Sequence, residues 1–242
     1  MKSPITYDTL WQFAHSNDNY CRSIRAIVLS FTGLGDSSTV LSAPFDSRNY
    51  ADRDILFLQP YTNPWAWMNR QAVALTDELI DLLMEHYKLP PHIPVILTGK
   101  SMGGLGAMLY AIHGKYKPVG IVLNCPVCDI SAFCRVFPKN RRTVYNAYWD
   151  EDGTLEEIMK AHSPIHLLDQ LPRVRYHFFQ CSHDLTVSKE EHADRMVTAM
   201  QESGFELTYD IDFGRDHVDL SPEMELKFFH FVCDLAAEYS VN

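Results

Sequence analysis

Residues 95–110 read Val-Ile-Leu-Thr-Gly-Lys-Ser-Met-Gly-Gly-Leu-Gly-Ala-Met-Leu-Tyr, and residues 99–103 within them form a Gly-x-Ser-x-Gly pattern. An apolar run at 95–98 leads into the pattern, and small and apolar residues at helical spacing follow it. A strand, a sharp turn and a helix in this order predict a nucleophile elbow, which exposes its serine where the strand ends. The glycines fit this interpretation because larger side chains there would collide with the neighbouring strand and helix. We therefore predict that Ser101 is a nucleophile rather than only part of a Gly-rich turn.

The rest of the chain alternates between patterns typical of buried strands and patterns typical of amphipathic helices. Strands are predicted at 25–31, 54–58, 95–98, 119–123, 173–180 and 206–213. Helices are predicted at 67–87, 102–113, 189–204 and 222–239, the last with Ser221 as N-cap and proline at its first position. This alternation predicts an α/β fold, a mostly parallel sheet with helices on both faces. The 242 residues suit one domain of this kind, spanning 1–242.

The alternation breaks between residues 125 and 168, where basic residues lie among aromatic ones and an acidic helical stretch follows. We predict that this segment is a lid inserted over the carboxyl edge of the sheet, where open α/β sheets bind ligands. Arg135, Arg141 and Arg142 in this segment could hold a carboxylate or phosphate of a substrate. We favour the alternative that these arginines form a solvated outer face of the lid.

The net charge of −10 argues against nucleic acid or an anionic membrane as the main partner, because both would repel such a chain. The N-terminus lacks the apolar core of a signal peptide, and no apolar run reaches membrane-spanning length. We therefore expect a cytoplasmic protein, provided that no signal was removed. Nothing in the sequence indicates an oligomeric state.

Six cysteines are scattered along the chain rather than spaced as a disulfide framework, which favours reduced thiols. Cys125 and Cys128 form a CxxC pattern that could bind zinc or act in redox chemistry. No second CxxC and no histidine pair at zinc-finger spacing accompanies it. We therefore predict buried thiols and no metal site.

A serine hydroxyl needs a general base, normally a histidine that a carboxylate orients. Asp184 and His217 each follow a predicted strand, and adjacent strands would bring them together at the edge that carries Ser101. Asp129, just beyond the strand that follows the elbow helix, is the alternative carboxylate. His183, beside the predicted acid, is the alternative base.

An oxyanion hole requires two convergent backbone donors. The N–H of Met102, directly after the nucleophile, should be one of them. The second should come from the loop at 32–35, where glycines allow the backbone to approach a ligand closely. Leu34 is our choice for this donor, with Gly33 as the alternative.

These motifs resemble those of the α/β-hydrolases from about residue 25 to the C-terminus. Phe31-Thr32-Gly33-Leu34-Gly35 is similar to the His-Gly-x-Gly strand exit of esterases, with threonine in place of the usual histidine. The run at 101–107 is similar to that of compact esterases of the esterase D, feruloyl and acetylxylan esterase type. Ser163-Pro164, before the acid strand, resembles the catalytic domain of the prolyl oligopeptidase family.

The resemblance implies a catalytic triad of Ser101, Asp184 and His217 that hydrolyses esters or amides through an acyl-enzyme, without a metal or organic cofactor. Only about 25 residues precede the first core strand, so the first two strands of the family should be absent or reduced. We expect no β-propeller domain of the kind that gates peptides in the prolyl oligopeptidase family.

Aromatic residues in the stretch at 59–67 follow a predicted strand and should lie near the active edge. The rings of Tyr61 and Trp65 could stack on a sugar or an aromatic acyl group. For Trp67 we favour packing beneath the lid, because it begins a helix.

The sequence thus predicts a serine carboxylesterase that acts on a small-molecule ester, with an acylated sugar as one candidate substrate. A small peptidase or acylaminoacyl hydrolase with the same triad is the first alternative. An inactive, ligand-binding member of the fold is the second.

Overall fold

The computed structural model describes residues 5–36 and 47–240, and seven strands within these ranges form one sheet. The strands are β1 (Ala14–Ser16), β2 (Ala26–Phe31), β3 (Ile55–Pro60), β4 (Val95–Lys100), β5 (Gly120–Asn124), β6 (Arg175–Cys181) and β7 (Leu207–Asp212). Their order across the sheet is β1-β3-β2-β4-β5-β6-β7. Strand β1 pairs with β3 in antiparallel orientation, whereas the other pairs are parallel. The predicted, mostly parallel sheet is confirmed.

Helices connect the parallel strands, as right-handed crossovers require. The α-helices are α1 (Ser47–Ala51), α2 (Arg70–Tyr87), α3 (Met102–His113), α4 (Ile130–Val136), α5 (Arg141–Ala147), α6 (Leu155–Ala161), α7 (Ala193–Glu202) and α8 (Pro222–Tyr239). Short 3₁₀ turns lie at Tyr7–Gln12, Asp18–Tyr20, Pro138–Asn140, Pro164–His166 and Leu168–Gln170. The hydroxyl of Ser221 accepts a hydrogen bond from the amide of Met224, which confirms the predicted N-cap of α8.

Successive strand residues point to opposite faces of the sheet, so the core has two halves. Ile27 and Leu29 of β2 pack in the larger half with α2 and α3, whereas Val28 packs in the smaller half with α8. Both halves are largely closed to solvent around the central strands, which is why β2, β3, β4 and β5 read as nearly continuous apolar runs, whereas the edge strand β7 alternates.

Strand β1 is the main element that the sequence pattern did not predict. It has three residues, too few to show an alternating pattern, and it pairs along the edge of β3. It is the one strand before β2 in the described residues 5–25, in keeping with the expected reduction of the leading strands. Residues 1–4, on which the interpretation of the N-terminus partly rests, lie outside the described residues.

The segment 125–168 contributes α4, α5 and α6 between β5 and β6, and Trp67 anchors it to the sheet. The indole of Trp67 is fully buried, and its N–H donates to the hydroxyl of Thr143 over 2.9 Å. The Trp67 carbonyl accepts a hydrogen bond from the Tyr148 hydroxyl, and the ring packs edge-on against Phe133. The favoured interpretation of Trp67 as a residue beneath this segment is confirmed.

His192 fixes the beginning of the same segment from the other side. Its ring Nδ1 lies 3.2 Å from the amide nitrogen of Cys128 and 3.4 Å from that of Asp129, just before α4. Because Nδ1 accepts these bonds, it carries no proton. Burial lowers the pKa of His192 to about 4, and the opposing effect of the nearby Asp129 carboxylate does not compensate for the loss of solvation.

No helix in residues 5–36 and 47–240 combines the length and the hydropathy that crossing a bilayer requires.

Close packing of α3 against β2 depends on Gly103. A Cβ atom at this position would lie 2.0 Å from the carbonyl oxygen of Phe31, which belongs to the rigid end of β2. Gly106, one turn further along α3, is different. There the one close contact of a Cβ would be the terminal methyl group of the flexible Met68 side chain, at 3.0 Å, and Phe31 would lie at an ordinary contact distance of 3.7 Å.

We predict that Gly103→Ala lowers the free energy of unfolding by at least about 2 kcal/mol, because either α3 or β2 must move. Gly106→Ala is the matched control in the same helix. Its effect on the free energy of unfolding should lie near zero, because the helix preference for alanine over glycine, about 1 kcal/mol, offsets the cost of moving the Met68 methyl group. Urea denaturation followed by circular dichroism measures both. Equal losses for the two variants would contradict the packing account.

We also predict that His192 makes the fold acid-sensitive. The unfolded chain takes up a proton at this ring below about pH 6.5, whereas the folded chain resists protonation until about pH 4. The stability that neutral His192 supplies is therefore complete above pH 6.5, falls as the pH drops, and is lost near pH 4. Between pH 6.5 and pH 4, protonation linked to His192 lowers the free energy of unfolding by about 3 kcal/mol.

Urea denaturation of wild type and His192→Gln between pH 4.5 and 7.5 tests this prediction. The fall in stability on acidification should be smaller in His192→Gln than in wild type. His92→Gln, at an exposed position, should follow the wild-type curve. Parallel curves for wild type and His192→Gln would show that His192 does not carry the effect.

Candidate active site

Ser101 lies at the sharp turn between β4 and α3, as the elbow pattern predicts. Its backbone has φ 56° and ψ −124°, a strained conformation for a residue with a side chain. Its carbonyl oxygen accepts hydrogen bonds from the amides of Gly104 and Val127, each over 3.0 Å, and these bonds hold the turn in place. The residue is 8% exposed, so its side chain is largely shielded from solvent.

The side chains of Ser101, His217 and Asp184 form a continuous chain of hydrogen bonds. The Oγ atom of Ser101 lies 2.9 Å from Nε2 of His217, and Nδ1 of His217 lies 2.7 Å from Oδ2 of Asp184. Asp184 follows β6 and His217 follows β7, which are neighbours in the sheet. The structure therefore brings together all three residues that the sequence singled out.

Asp184 is enclosed by hydrogen-bond donors. Its Oδ1 atom accepts from the amides of Thr186 at 2.9 Å and Val187 at 2.7 Å. Its Oδ2 atom, which faces His217, also accepts from the Nε2 amide of Gln180 at 3.3 Å. The side chain of Asp184 is fully shielded from solvent. A carboxylate fixed from several directions cannot rotate away from the imidazole.

The loop that carries His217 is held under backbone strain at the next residue. Val218 has φ 55°, which is unusual for a β-branched side chain because of steric clashes. Its carbonyl accepts a hydrogen bond from the side-chain amide of Asn124 at the end of β5. Strain of this kind persists only where surrounding contacts impose it, and it concentrates at functional sites.

Several backbone amides at or near Ser101 are available as donors. Within the described part of the chain, the N–H groups of Met102, Leu34 and the alternative Gly33 donate to no protein acceptor, whereas that of Gly35 donates to the carbonyl of Pro64. Leu34 and Gly33 therefore both stay candidates for the second donor. Met102 opens α3, so the positive end of the helix dipole also faces this point. A Cβ at Gly33 would lie 3.6 Å from the Cβ of Ser101, so the loop at 32–35 adjoins the serine.

Cys125 lies close to His217 and Asp184. It directly follows β5, and β5 lies between the strands that precede Ser101 and Asp184. One potential ligand atom each from Cys125, Asp184 and His217 lies within 4.8 Å of the other two, and the described residues contain no other such group. Asp184 and His217 already bond to each other here. Cys125 accepts a hydrogen bond from the amide of Cys181. A side-chain hydrogen bond with the Cys181 thiol, followed by burial, raises the pKa of the Cys125 thiol.

The second cysteine of the CxxC pattern, Cys128, is also buried, and its thiol donates to the carbonyl of Pro126. The CxxC pattern therefore does not form a shared ligand set in the described residues.

The alternative acid and base lie elsewhere. The carboxylate of Asp129 caps α4 through the amide of Ala132 and forms an ion pair with Arg195, so it does not contact His217. The side chain of His183 is exposed and has no hydrogen bond to Ser101.

The predicted substrate-binding residues are only partly brought to one place. Trp65 is 47% exposed and lines a groove beside the 32–35 loop. Tyr61 is half-buried, burial raises the pKa of its phenol, and it does not line that groove. Arg135 and Arg141 form exposed ion pairs with glutamates, which fits the favoured solvated surface.

Sequence reasoning missed the residues that hold the cluster, namely Gln180, Asn124 and Val218. Asn124 is the polar last residue of the otherwise apolar β5, and Gln180 is a buried polar residue next to last in β6, a signal that could have indicated them. The strain at Val218 leaves no trace in the sequence.

A comparison of the sequence with protein-family models identifies a family. The family model described as "Putative esterase" matches residues 43–218, which includes every member of the hydrogen-bonded cluster. A search of curated proteins gives no match.

Several solved structures share the fold. S-formylglutathione hydrolase from Agrobacterium tumefaciens superposes with a TM-score of 0.69 at 16% identity, covering 91% of this chain and 86% of that one. Esterase B from Lactobacillus rhamnosis HN001 gives 0.65 at 12% identity, covering 90% and 78%. A puromycin-hydrolyzing peptidase of Mycobacterium tuberculosis gives 0.70 at 12% identity, covering 90% of this chain but 34% of that one.

At these sequence identities the structural likeness establishes the fold alone. Membership in the family is established by the family model, which matches residues 43–218. The predicted resemblance to α/β-hydrolases is confirmed by both. The chain belongs to this esterase family and is a carboxylesterase-like hydrolase with the α/β-hydrolase fold.

Proposed function

We propose that the protein is a serine carboxylesterase in which Ser101, His217 and Asp184 act as a catalytic triad through an acyl-enzyme. The observation that carries this proposal is the pair of short hydrogen bonds, Ser101 to His217 and His217 to Asp184. A nucleophile, a base and an orienting group connected in this order are the geometric signature of nucleophilic catalysis.

The first step is attack by Ser101 Oγ on the ester carbonyl. His217 Nε2 accepts the hydroxyl proton, which requires that Nδ1 carry the other proton and keep it in a hydrogen bond to Asp184. The buried Asp184 then stabilises the imidazolium without taking its proton. The imidazolium next donates the proton to the departing alcohol oxygen, leaving an ester between the acyl group and Ser101.

The negative charge that develops on the carbonyl oxygen needs donors already in place. The N–H groups of Met102 and Leu34 are free to serve, and the N-terminus of α3 adds its dipole. Fixed donors of this kind act without reorganisation, and one of them is typically worth about 3–4 kcal/mol of transition-state stabilisation. Water, activated by His217, then hydrolyses the acyl-enzyme and regenerates Ser101.

Membership in the esterase family supports a small-molecule ester as substrate over the alternative of a peptide or acylaminoacyl amide. The peptidase likeness covers about a third of that enzyme. In this proposal the segment 125–168 acts as a lid beside Ser101, His217 and Asp184, since it follows β5 at the edge of the sheet that carries them.

We predict that Ser101→Ala and His217→Ala each lower kcat for p-nitrophenyl acetate by at least about 10³-fold, because each removes a member of a unit that acts together. The double variant should be no slower than the worse single variant by more than about tenfold. Steady-state assays at pH 7.5 measure this. Near wild-type turnover by Ser101→Ala would refute the proposal.

We predict that Asp184→Asn lowers kcat by about 10⁴-fold, because an amide favours the wrong imidazole tautomer. Asp129→Asn, which changes the alternative carboxylate and keeps the oxygen that caps α4, should retain kcat within about threefold. Assays with the same ester distinguish the two aspartates. The reverse ranking would assign the orienting role to Asp129.

A further inference from the structure

A groove of about 320 Å³ lies between the loop that follows β3 and the end of α5, outside the triad. The side chains that matter for its chemistry are Thr62, Asn63, Trp65, Gln71, Asn146 and Trp149. None of them takes part in the proposed reaction.

Two tryptophans expose their rings at this groove. Trp149 is 71% exposed and Trp65 is 47% exposed, whereas the nearby residue in sequence, Trp67, is completely buried. An indole ring left in water forgoes a large gain from burial, so two at one groove are typical of a binding surface. Flat rings of this kind suit a ligand with flat apolar faces.

Side-chain amides supply the polar part of the groove. Gln71 and Asn146 are exposed, and within the described part of the chain their amides form no hydrogen bond. Asn63 uses its carbonyl oxygen for the amide of Trp65, which leaves its NH₂ group free. Amides both donate and accept, so they match ligands that carry hydroxyl groups.

The groove is also uncharged. Charged residues make up 21% of the chain, and the net charge is −10, yet no Asp, Glu, Lys or Arg lines the groove. An adjoining pocket shares Gln71, Asn146 and Trp149 with the groove and contains charged residues, but Arg70 is paired there with Asp150 and Glu151 with His162. The lining therefore matches a neutral ligand.

Trp65 connects the groove to the proposed active site. A Cβ at Gly35 would lie 3.7 Å from the indole nitrogen of Trp65, and the Gly35 amide donates to Pro64 over 2.9 Å. The loop that Trp65 contacts thus includes Leu34 and adjoins Ser101 through Gly33.

From these observations we propose that the groove binds a neutral oligosaccharide, whose sugar faces stack on Trp65 and Trp149 and whose hydroxyls bond to the side-chain amides. The further step, that the bound sugar chain carries the ester to Ser101, rests on the proposed function. Binding itself does not depend on catalysis.

Isothermal titration with xylohexaose, cellohexaose and maltohexaose tests the proposal on the full chain. At least one should bind wild type with Kd in the millimolar range or tighter, and Ser101→Ala should bind it equally well. Trp149→Ala should weaken binding at least tenfold. Trp11→Ala, which removes a tryptophan of the same 71% exposure away from the groove, should bind as wild type does.

The proposal is overturned if none of the three sugars binds wild type, or if Trp149→Ala and Trp11→Ala bind alike. Tighter binding of hexagalacturonate than of the neutral sugars would also overturn it, because the ligand would then be anionic.

Sedimentation equilibrium of wild type and Trp149→Ala detects the remaining alternative. A dimer that only wild type forms, without sugar binding, would make this surface an interface between two copies. If the wild-type protein binds a sugar but hydrolyses no ester, the proposed function is contradicted and the sugar-binding proposal still holds.

Discussion

The whole site depends on how closely α3 approaches the ends of β2 and β4. Gly99 and Gly103 permit this approach, since a Cβ at either would come within about 2.1 Å of a backbone oxygen. The tight contact forces Ser101 into its left-handed conformation and points the N-terminus of α3 toward the space above the serine. The same contact sets the exit of β2, and hence the loop with Leu34, beside that space. The proposed nucleophile and the proposed oxyanion donors are thus positioned by one packing constraint.

The proposed base, His217, is positioned by a second, independent set of contacts at the other half of the sheet. Asp184 is locked by backbone amides and Gln180, and the loop of His217 is held by the Asn124 bond to the strained Val218. These contacts lie at the ends of β5, β6 and β7, so the register of the parallel ladders transmits their positions to Ser101. The sheet acts as a rigid frame, and the chemistry stands on the loops at its carboxyl edge.

The fold was largely predictable because buried parallel strands and amphipathic helices have distinct periods, and the elbow is one of the few turns with its own sequence signature. The residues of the triad could be chosen because they follow strands in a fixed order. Strand β1 escaped prediction because three residues along an edge show no pattern. The contacts of Gln180 and Asn124 depend on which loops meet across the sheet, which local sequence does not encode. The groove at Trp149 likewise forms only when α5 is folded back beside the loop after β3.

The most direct test of the central claim is the site of covalent labelling by a fluorophosphonate probe, read by intact mass and peptide mapping of the native protein. The account predicts a single adduct per chain, located on Ser101 and absent when His217 is replaced by alanine, because only a hydroxyl activated by the imidazole attacks phosphorus rapidly. An adduct on another residue, or an unlabelled and correctly folded protein, would contradict it.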